Sequence, residues 1–441
     1  MKHRGMRGAW LVAALALAAA SFPAASLPAA VPDTSRTSVS NPAYDSFDSL
    51  SLLAPDSTSD EVRPRSEPVR WRRAPFGDRL LTDPEEWRAR SDRTTRLTTV
   101  LDYNRVDLVR LGLGGEAQSG DRSLPRLGAR IEYATGRERW LYGAQIEQPL
   151  PIPGRFALGV SMVRRTDHGD LQQVDDVENS LALLFGRQDY RDYFEREGLG
   201  AYLSARLPEF STVSVHVRND VYRSLAVDRG TKSLFQRHRD LRDNPAIDEG
   251  ENHAWILGLE RLARRTQRTR AGFYHWAAFE RAGGALGGDF DFARALADLR
   301  SVLRLSPATT LTVRLVAGHT RRGALPVQKH FTVGGVDGLR AHSFASDRGD
   351  QMLLGQAEYG VGLWRLRTTG FEGGLHAIAF VDVGRAWFNP GHDWDLDRQR
   401  MRADGGFGLG TSEDNLRVYF AKNLQEPESD FVISVRLVRP F

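Results

Sequence analysis

Thr212 to Arg218 reads TVSVHVR: Val213, Val215 and Val217 share one face of an extended chain, and Ser214, His216 and Arg218 share the other. A period of two with charge on the second face predicts a strand with one apolar side and one wet side. The same split recurs in both directions. Upstream, Leu199, Ala201, Leu203 and Ala205 alternate with Gly200, Tyr202, Ser204 and Arg206. Downstream, Leu311, Val313, Leu315 and Ala317 oppose Thr312, Arg314 and Gly318, while Leu353, Ala357, Tyr359 and Val361 oppose Gln356, Glu358 and Gly360. From about Leu97 to the end, short segments of this kind follow one another, separated by Gly, Pro, Asp and Asn.

A soluble sandwich would produce the same alternation. Three features favour a barrel that crosses a membrane. The segments run to about nine to twelve residues, the length a tilted spanning strand needs. Tyr103, Trp140, Trp364 and Trp387 lie near strand ends, where an interfacial girdle places aromatics. The chain also stops on a strand: Phe431, Ile433, Val435, Leu437 and Phe441 fall on one face, with Arg439 able to snorkel. A terminal aromatic closing an amphipathic strand resembles the assembly signal of outer-membrane proteins, so Phe441 is the expected contact with the barrel-assembly machinery. About fifteen segments can be counted, and bacterial barrels have even strand numbers, so the expected fold is an all-β, antiparallel transmembrane barrel of about sixteen strands. The longest interruptions, Asp167 to Arg196 with a helix around Val177 to Leu184 and Leu225 to Glu251, belong on the extracellular side; the Pro-rich turn at Pro149 to Gly154 suits the periplasmic side.

Ahead of the barrel, residues 1–30 carry Lys2, Arg4 and Arg7, an Ala/Leu run from Ala9 to Ala20, and small residues at Ala24, Ala25, Ala29 and Ala30. This is the layout of a signal peptide, too short for a spanning helix. Residues 31–95 are expected to be a disordered or weakly structured periplasmic stretch: Pro32 to Pro68 is rich in Ser, Asp, Thr and Pro, and only Asp83 to Arg93 suggests a short helix. The barrel is assigned to residues 96–441. There is no cysteine, which removes disulfides and thiolate metal sites. The formal net charge is +4, partly from the leader, and no polybasic run suggests nucleic acid.

Two further stretches carry functional information. Phe331 to Asp350 reads FTVGGVDGLRAHSFASDRGD and leads into the strand QMLLGQAEYGVGL; Phe380 to Trp387 reads FVDVGRAW. On Leu375 to Val383 the alternate residues Leu375, Ala377, Ala379, Val381 and Val383 form an apolar face, which puts Phe380, Asp382 and Gly384 inside; Glu358 falls inside by the same count. A half-buried carboxylate calls for a cation. Gly334, Gly335 and Gly338 fit a turn needing positive φ or close backbone approach. In order and spacing these segments, with YNRVDLVRLGLG at Tyr103 to Gly114, resemble the BamA/TamA/FhaC superfamily of outer-membrane insertases and two-partner secretion transporters. The resemblance implies an extracellular loop folded back inside the barrel, with Arg340 at its tip as the partner of Asp382 and Glu358. It departs from the family at Ala341 and His342, which stand where a glycine and an aromatic are usual. The region before the barrel also lacks the length and patterning of a POTRA domain, so a barrel-only member is expected.

By analogy the expected activity is outer-membrane biogenesis or transport of protein or lipid, with membrane lipid and a protein or lipid substrate as partners. The alternative is a passive channel or an outer-membrane lipase or deacylase. His216, His275 and His376 lie on strands with no recognisable Ser or acidic partner, which argues against a catalytic site. No metal or cofactor site is expected.

Overall fold

The computed structural model describes residues 94–437 except 119–123, 151–155, 173, 208–210, 236–239, 262–271, 307, 369–370, 390, 392–393, 395, 397–400, 412–415 and 427. The leader, the weakly structured stretch, the helix at Asp83 to Arg93, most of the turn at Pro149 to Gly154, and Phe441 lie outside the described residues.

The strands follow one another in chain order. They are β1 (Thr94–Asn104), β2 (Leu108–Gln118), β3 (Arg126–Ala134), β4 (Arg139–Pro149), β5 (Phe156–His168), β6 (Tyr193–Arg206), β7 (Thr212–Ser224), β8 (Gly250–Arg261) and β9 (Gly272–Ala282). Then come β10 (Phe292–Ser306), β11 (Thr309–Arg322), the short β12 (Phe331–Val333) and β13 (Asp347–Gly349), β14 (Gln351–Thr368), β15 (Phe371–Trp387), β16 (Arg402–Thr411), β17 (Arg417–Asn423) and β18 (Val432–Arg436). One helix, α1 (Asp176–Gly186), lies between β5 and β6. Among the described residues all but β12 and β13 form one 16-stranded antiparallel sheet in sequential order, the even total nearest to the fifteen or so segments counted in the sequence. Among the described residues no ladder joins β1 to β18.

The outer wall is apolar because every second residue faces away from the lumen. Leu113, Ile131, Ile146, Val160, Leu199, Val217 and Ile433 are each at least half exposed, while their strand neighbours Glu132, Gln145 and Ser434 are buried. Such a surface is stable only against hydrocarbon. On β18 Ile433 and Val435, like Phe431 just before it, face out and Arg436 faces in, the alternation read from the sequence.

The inner face is less wet than the alternation suggested. Ile256, Trp276, Leu296, Val316 and Leu354 point inward and form an apolar cluster. It is completed by Leu325, Phe331, Val333 and Leu339 of the β11–β14 connection. That connection folds into the lumen, so the strands facing it carry apolar residues on both sides. Within it β12 and β13 pair as a small hairpin, Phe331 opposite Gly349 and Val333 opposite Asp347, where the sequence suggested only a loop. The hairpin of β14 and β15 is the longest in the sheet; β11 pairs β14 only as far as Val361, so its far end projects beyond the neighbouring strands.

Helix α1 spans Asp176–Gly186, slightly longer than the sequence suggested. Asp175 caps it by accepting the Val177 N–H at 3.0 Å, and Arg187 ends it in the left-handed region at φ 53°. The helix packs on β1, where Ser180 Oγ accepts the backbone N–H of Tyr103 at 2.9 Å and donates to Asp102 at 2.9 Å. Two residues earlier on the helix Glu178 pairs with Arg436 of β18. A single helix therefore touches both end strands of the sheet.

Candidate functional site

The β11–β14 connection reverses at Gly334 and Gly335, at φ +116° and +87°, conformations that strain any residue with a Cβ. The Gly335 N–H donates to the carbonyls of Leu339 and His342 at 3.0 and 3.1 Å, and the Gly338 N–H to Gly335 at 3.0 Å. This knot of backbone bonds presents Arg340 at its tip, aimed at the inner face of β14 and β15.

Register places the receiving residues in a row: Gln356 of β14 lies opposite Asp382 of β15, and Asp382 opposite Asp404 of β16. Glu358 is opposite Phe380, and Gly384 lies on the same inner face opposite Leu354. Arg340 is only 2 % exposed. Its Nε lies 3.2 Å from Asp382 Oδ2, and Nη2 donates to Oδ1 at 3.3 Å. Its Nη1 lies 2.8 Å from Glu358 Oε1. The guanidinium plane is stacked as well as bonded, with its carbon 4.1 Å from the centre of the Phe380 ring and 4.6 Å from that of Tyr419. A planar, weakly hydrated cation suits this slot where a lysine would not.

The second carboxylate is held by residues the sequence reading did not single out. Glu358 accepts from Tyr419 Oη at 2.9 Å and Arg417 Nη1 at 3.1 Å, both on β17. Gln356 Nε2 ties the loop to the wall by donating to Asp382 at 3.1 Å and to the Gly338 carbonyl at 2.9 Å. Asp404 takes the loop beyond Arg340: the Ala341 N–H donates to it at 2.7 Å, and His342 Nδ1 lies 3.0 Å away. The two departures from the family pattern thus both dock on one acid. The only available signal was the pair Arg417 and Tyr419, two apart and so on one strand face.

A second tether runs to the last strand. Arg436 Nη1 donates to the Val336 carbonyl at 2.9 Å and to Asp337 at 2.7 Å, while the same side chain meets Glu178 of α1. Arg314 of β11 completes the ring, donating to Asp298 at 2.8 and 3.0 Å and to the Asp337 carbonyl at 3.3 Å. Loop, helix and end strand are thereby joined in one network of buried and partly buried polar contacts. Removing one partner would strand a charge, which costs about 3 to 5 kcal/mol.

Of the histidines considered for catalysis, His216 has its Nε2 3.0 Å from Ser214 Oγ beneath the Tyr202 ring, a pairing the sequence reading did not register. His275 stacks on Phe273 on the outer face of β9. His376 lies on the inner side of β15 opposite Gly362. The acids of the β5–β6 connection are engaged with other groups: Asp170 with Arg294, Asp175 with the helix cap, Asp176 with Arg191. No group of three metal-ligating side chains occurs among the described residues.

No protein-family model matches the chain. It is 26% identical over 240 residues to the outer membrane protein assembly factor BamA of Nitratidesulfovibrio vulgaris, an alignment covering 50% of this chain and 27% of that protein. The chain thus spans about a quarter of the length of that curated relative. Among solved structures it is similar to BamA from Haemophilus ducreyi lacking POTRA domains 1–3, with TM-score 0.53 and 12% identity over 78% of this chain and 70% of that one. CdiB from Escherichia coli aligns over 78% of this chain and 62% of its own with TM-score 0.44 and 11% identity. The sequential 16-stranded sheet, the apolar outer wall and the likeness to the Haemophilus ducreyi structure agree: the chain is an outer-membrane β-barrel whose fold is similar to that of the BamA barrel.

Proposed function

We propose that this barrel acts in outer-membrane biogenesis, inserting or translocating protein or lipid through a wall that opens where β1 meets β18. The observation that carries the reading is the inward loop: Arg340, held by Asp382 and Glu358, fixes it to β14 and β15, and Asp337 carries it on to Arg436 of the last strand. A pore that only conducted would gain nothing from coupling its plug to the sheet's end strand. An insertase gains a way to hold that strand until a client arrives. The end strands are the natural site of opening, because an unpaired strand edge is a template for another strand. Lipid tolerates such an edge only while it is covered.

The test is reconstitution in liposomes, with the folding of a urea-denatured client barrel followed by protease protection. Wild-type protein should accelerate protected folding, and Arg340→Ala should abolish the acceleration. If both liposome populations match empty ones, and cells depleted of the protein keep a normal outer-membrane proteome and lipid composition, the reading fails.

A further inference from the structure

Near the long-connection end of β4 to β7 the outer wall stops being apolar. On β6, Leu199, Ala201 and Leu203 face outward and are exposed, but Glu197 and Glu195 continue the same face. Register sets Arg164 of β5 opposite Glu197, and Thr166 of β5 and Arg223 of β7 opposite Glu195. Arg137, from the β3–β4 turn, and Arg139, the first residue of β4, lean onto the same spot. Glu195 is 1% exposed although it sits on the outer wall, because four guanidinium groups cover it. Its carboxylate lies 2.7 Å from Arg137, 3.0 Å from Arg223, 3.3 Å from Arg164 and 3.4 Å from Arg139.

The four arginines are not equally engaged. Arg137 also donates to Asp107 and to Thr166 Oγ1, both at 2.7 Å. Arg223 meets both carboxylates through the single nitrogen Nη1, and Arg139 makes one contact at 3.4 Å; their side chains are 41% and 42% exposed. The two half-exposed guanidiniums thus converge on one carboxylate at the rim, each with part of its side chain open to solvent. Trp140, 58% exposed and packed on Tyr133 at 5.0 Å, sits at the same height, and Tyr142 donates to Glu197 at 3.1 Å. An aromatic belt is where hydrocarbon gives way to headgroups.

We propose that this patch binds the phosphate of an outer-leaflet glycolipid, with Arg139 and Arg223 as the two forks and Trp140 resting on the sugar or upper acyl region. The carboxylates hold the arginines in place against their mutual repulsion, so the site exists before the lipid arrives. With Glu138 between Arg137 and Arg139, acids and bases nearly balance. The recognition is therefore bidentate contact with an oxyanion rather than a long-range field, and arginine cannot be replaced by lysine. The assignment rests on the outer-membrane location and not on the insertion activity.

The experiment uses the full barrel in lipopolysaccharide-free nanodiscs, titrated with bisphosphorylated lipid A, with the same lipid stripped of phosphate, and with inorganic phosphate. The readout is the temperature at which the compact band is lost on semi-native gels. Bisphosphorylated lipid A should raise that temperature, and the other two should not. R139Q/R223Q should weaken the titration by roughly ten-fold or more, R139K/R223K should fail to restore it, and R322Q, elsewhere on the rim, should leave it unchanged. Should the double variant give no compact band, R139Q alone, which loses only the 3.4 Å contact, carries the comparison. Equal stabilisation by dephosphorylated lipid or by phosphate alone, an unchanged titration in the arginine-to-glutamine variants, or an equal loss in R322Q would overturn the proposal.

Discussion

At the scale of single residues, the centre of the molecule is Arg340. Its bonds to Asp382 and Glu358 exclude water on every side, so each partner is stable only while the other is present. Arg340→Ala should lower barrel stability by about 3 to 5 kcal/mol, visible as earlier loss of the compact band on heating. Asp382→Ala should do the same. Because the two deletions remove one interaction, the double variant should lose far less than the sum of the singles. Three variants with separate, additive losses would show that the two side chains do not depend on each other. Alternation on β14 and β15 was enough to turn Glu358 and Asp382 inward, and the family resemblance supplied Arg340 as their partner. The contributions of Arg417, Tyr419, Asp404 and Arg436 were not legible, since nothing in a strand's period says which lumen acid lies across which strand.

At the scale of elements, α1 and the hairpin of β12 and β13 convert an open lumen into a packed one. Phe331 is 1% exposed in the apolar cluster, and Phe331→Ala should cost about 3 to 5 kcal/mol through the cavity it leaves. Unchanged heat resistance would mean that the loop does not pack as described. Helix α1 carries a titratable contact. Burial pushes the Glu178 carboxyl up to about 7, overcoming the pull of Arg436. The folded carboxyl then binds its proton more tightly than the unfolded one. Its contribution is full below the unfolded value of about 4.5 and is lost as pH rises through about 7. Glu178→Gln should remove that slope, so the stability of wild type relative to the variant should fall between pH 5 and pH 8; parallel profiles would exclude Glu178 as the titrating group. Proline, glycine and polar runs located this connection and its helix. Its docking on β1 and β18 was invisible, because the contacts join residues more than 70 positions apart.

For the whole molecule, the even strand count puts the start of β1 and the end of β18 on one side of the membrane, with the long connections on the other. Arg322, 67% exposed at the end of β11, and Ala308, in the β10–β11 turn, mark opposite ends. Since the chain has no cysteine, Arg322→Cys should react with an impermeant maleimide on intact cells. Ala308→Cys should react only after the outer membrane is permeabilised. The reverse pattern would invert the orientation, and with it the leaflet that the arginine patch on β4 to β7 faces.

By itself the sequence determined the all-β pattern, the lipid-facing residues and the inward acids, because each follows from a period of two and needs no knowledge of what lies opposite. Only the tertiary structure decided how the lumen is filled and which charges meet. Sheet register and loop return bring Arg340 to Asp382, Arg436 to both Asp337 and Glu178, and four arginines onto Glu195. Those pairings are set by closure of distant segments in space, and a charge that pairs across the lumen has the same local sequence as one that faces water.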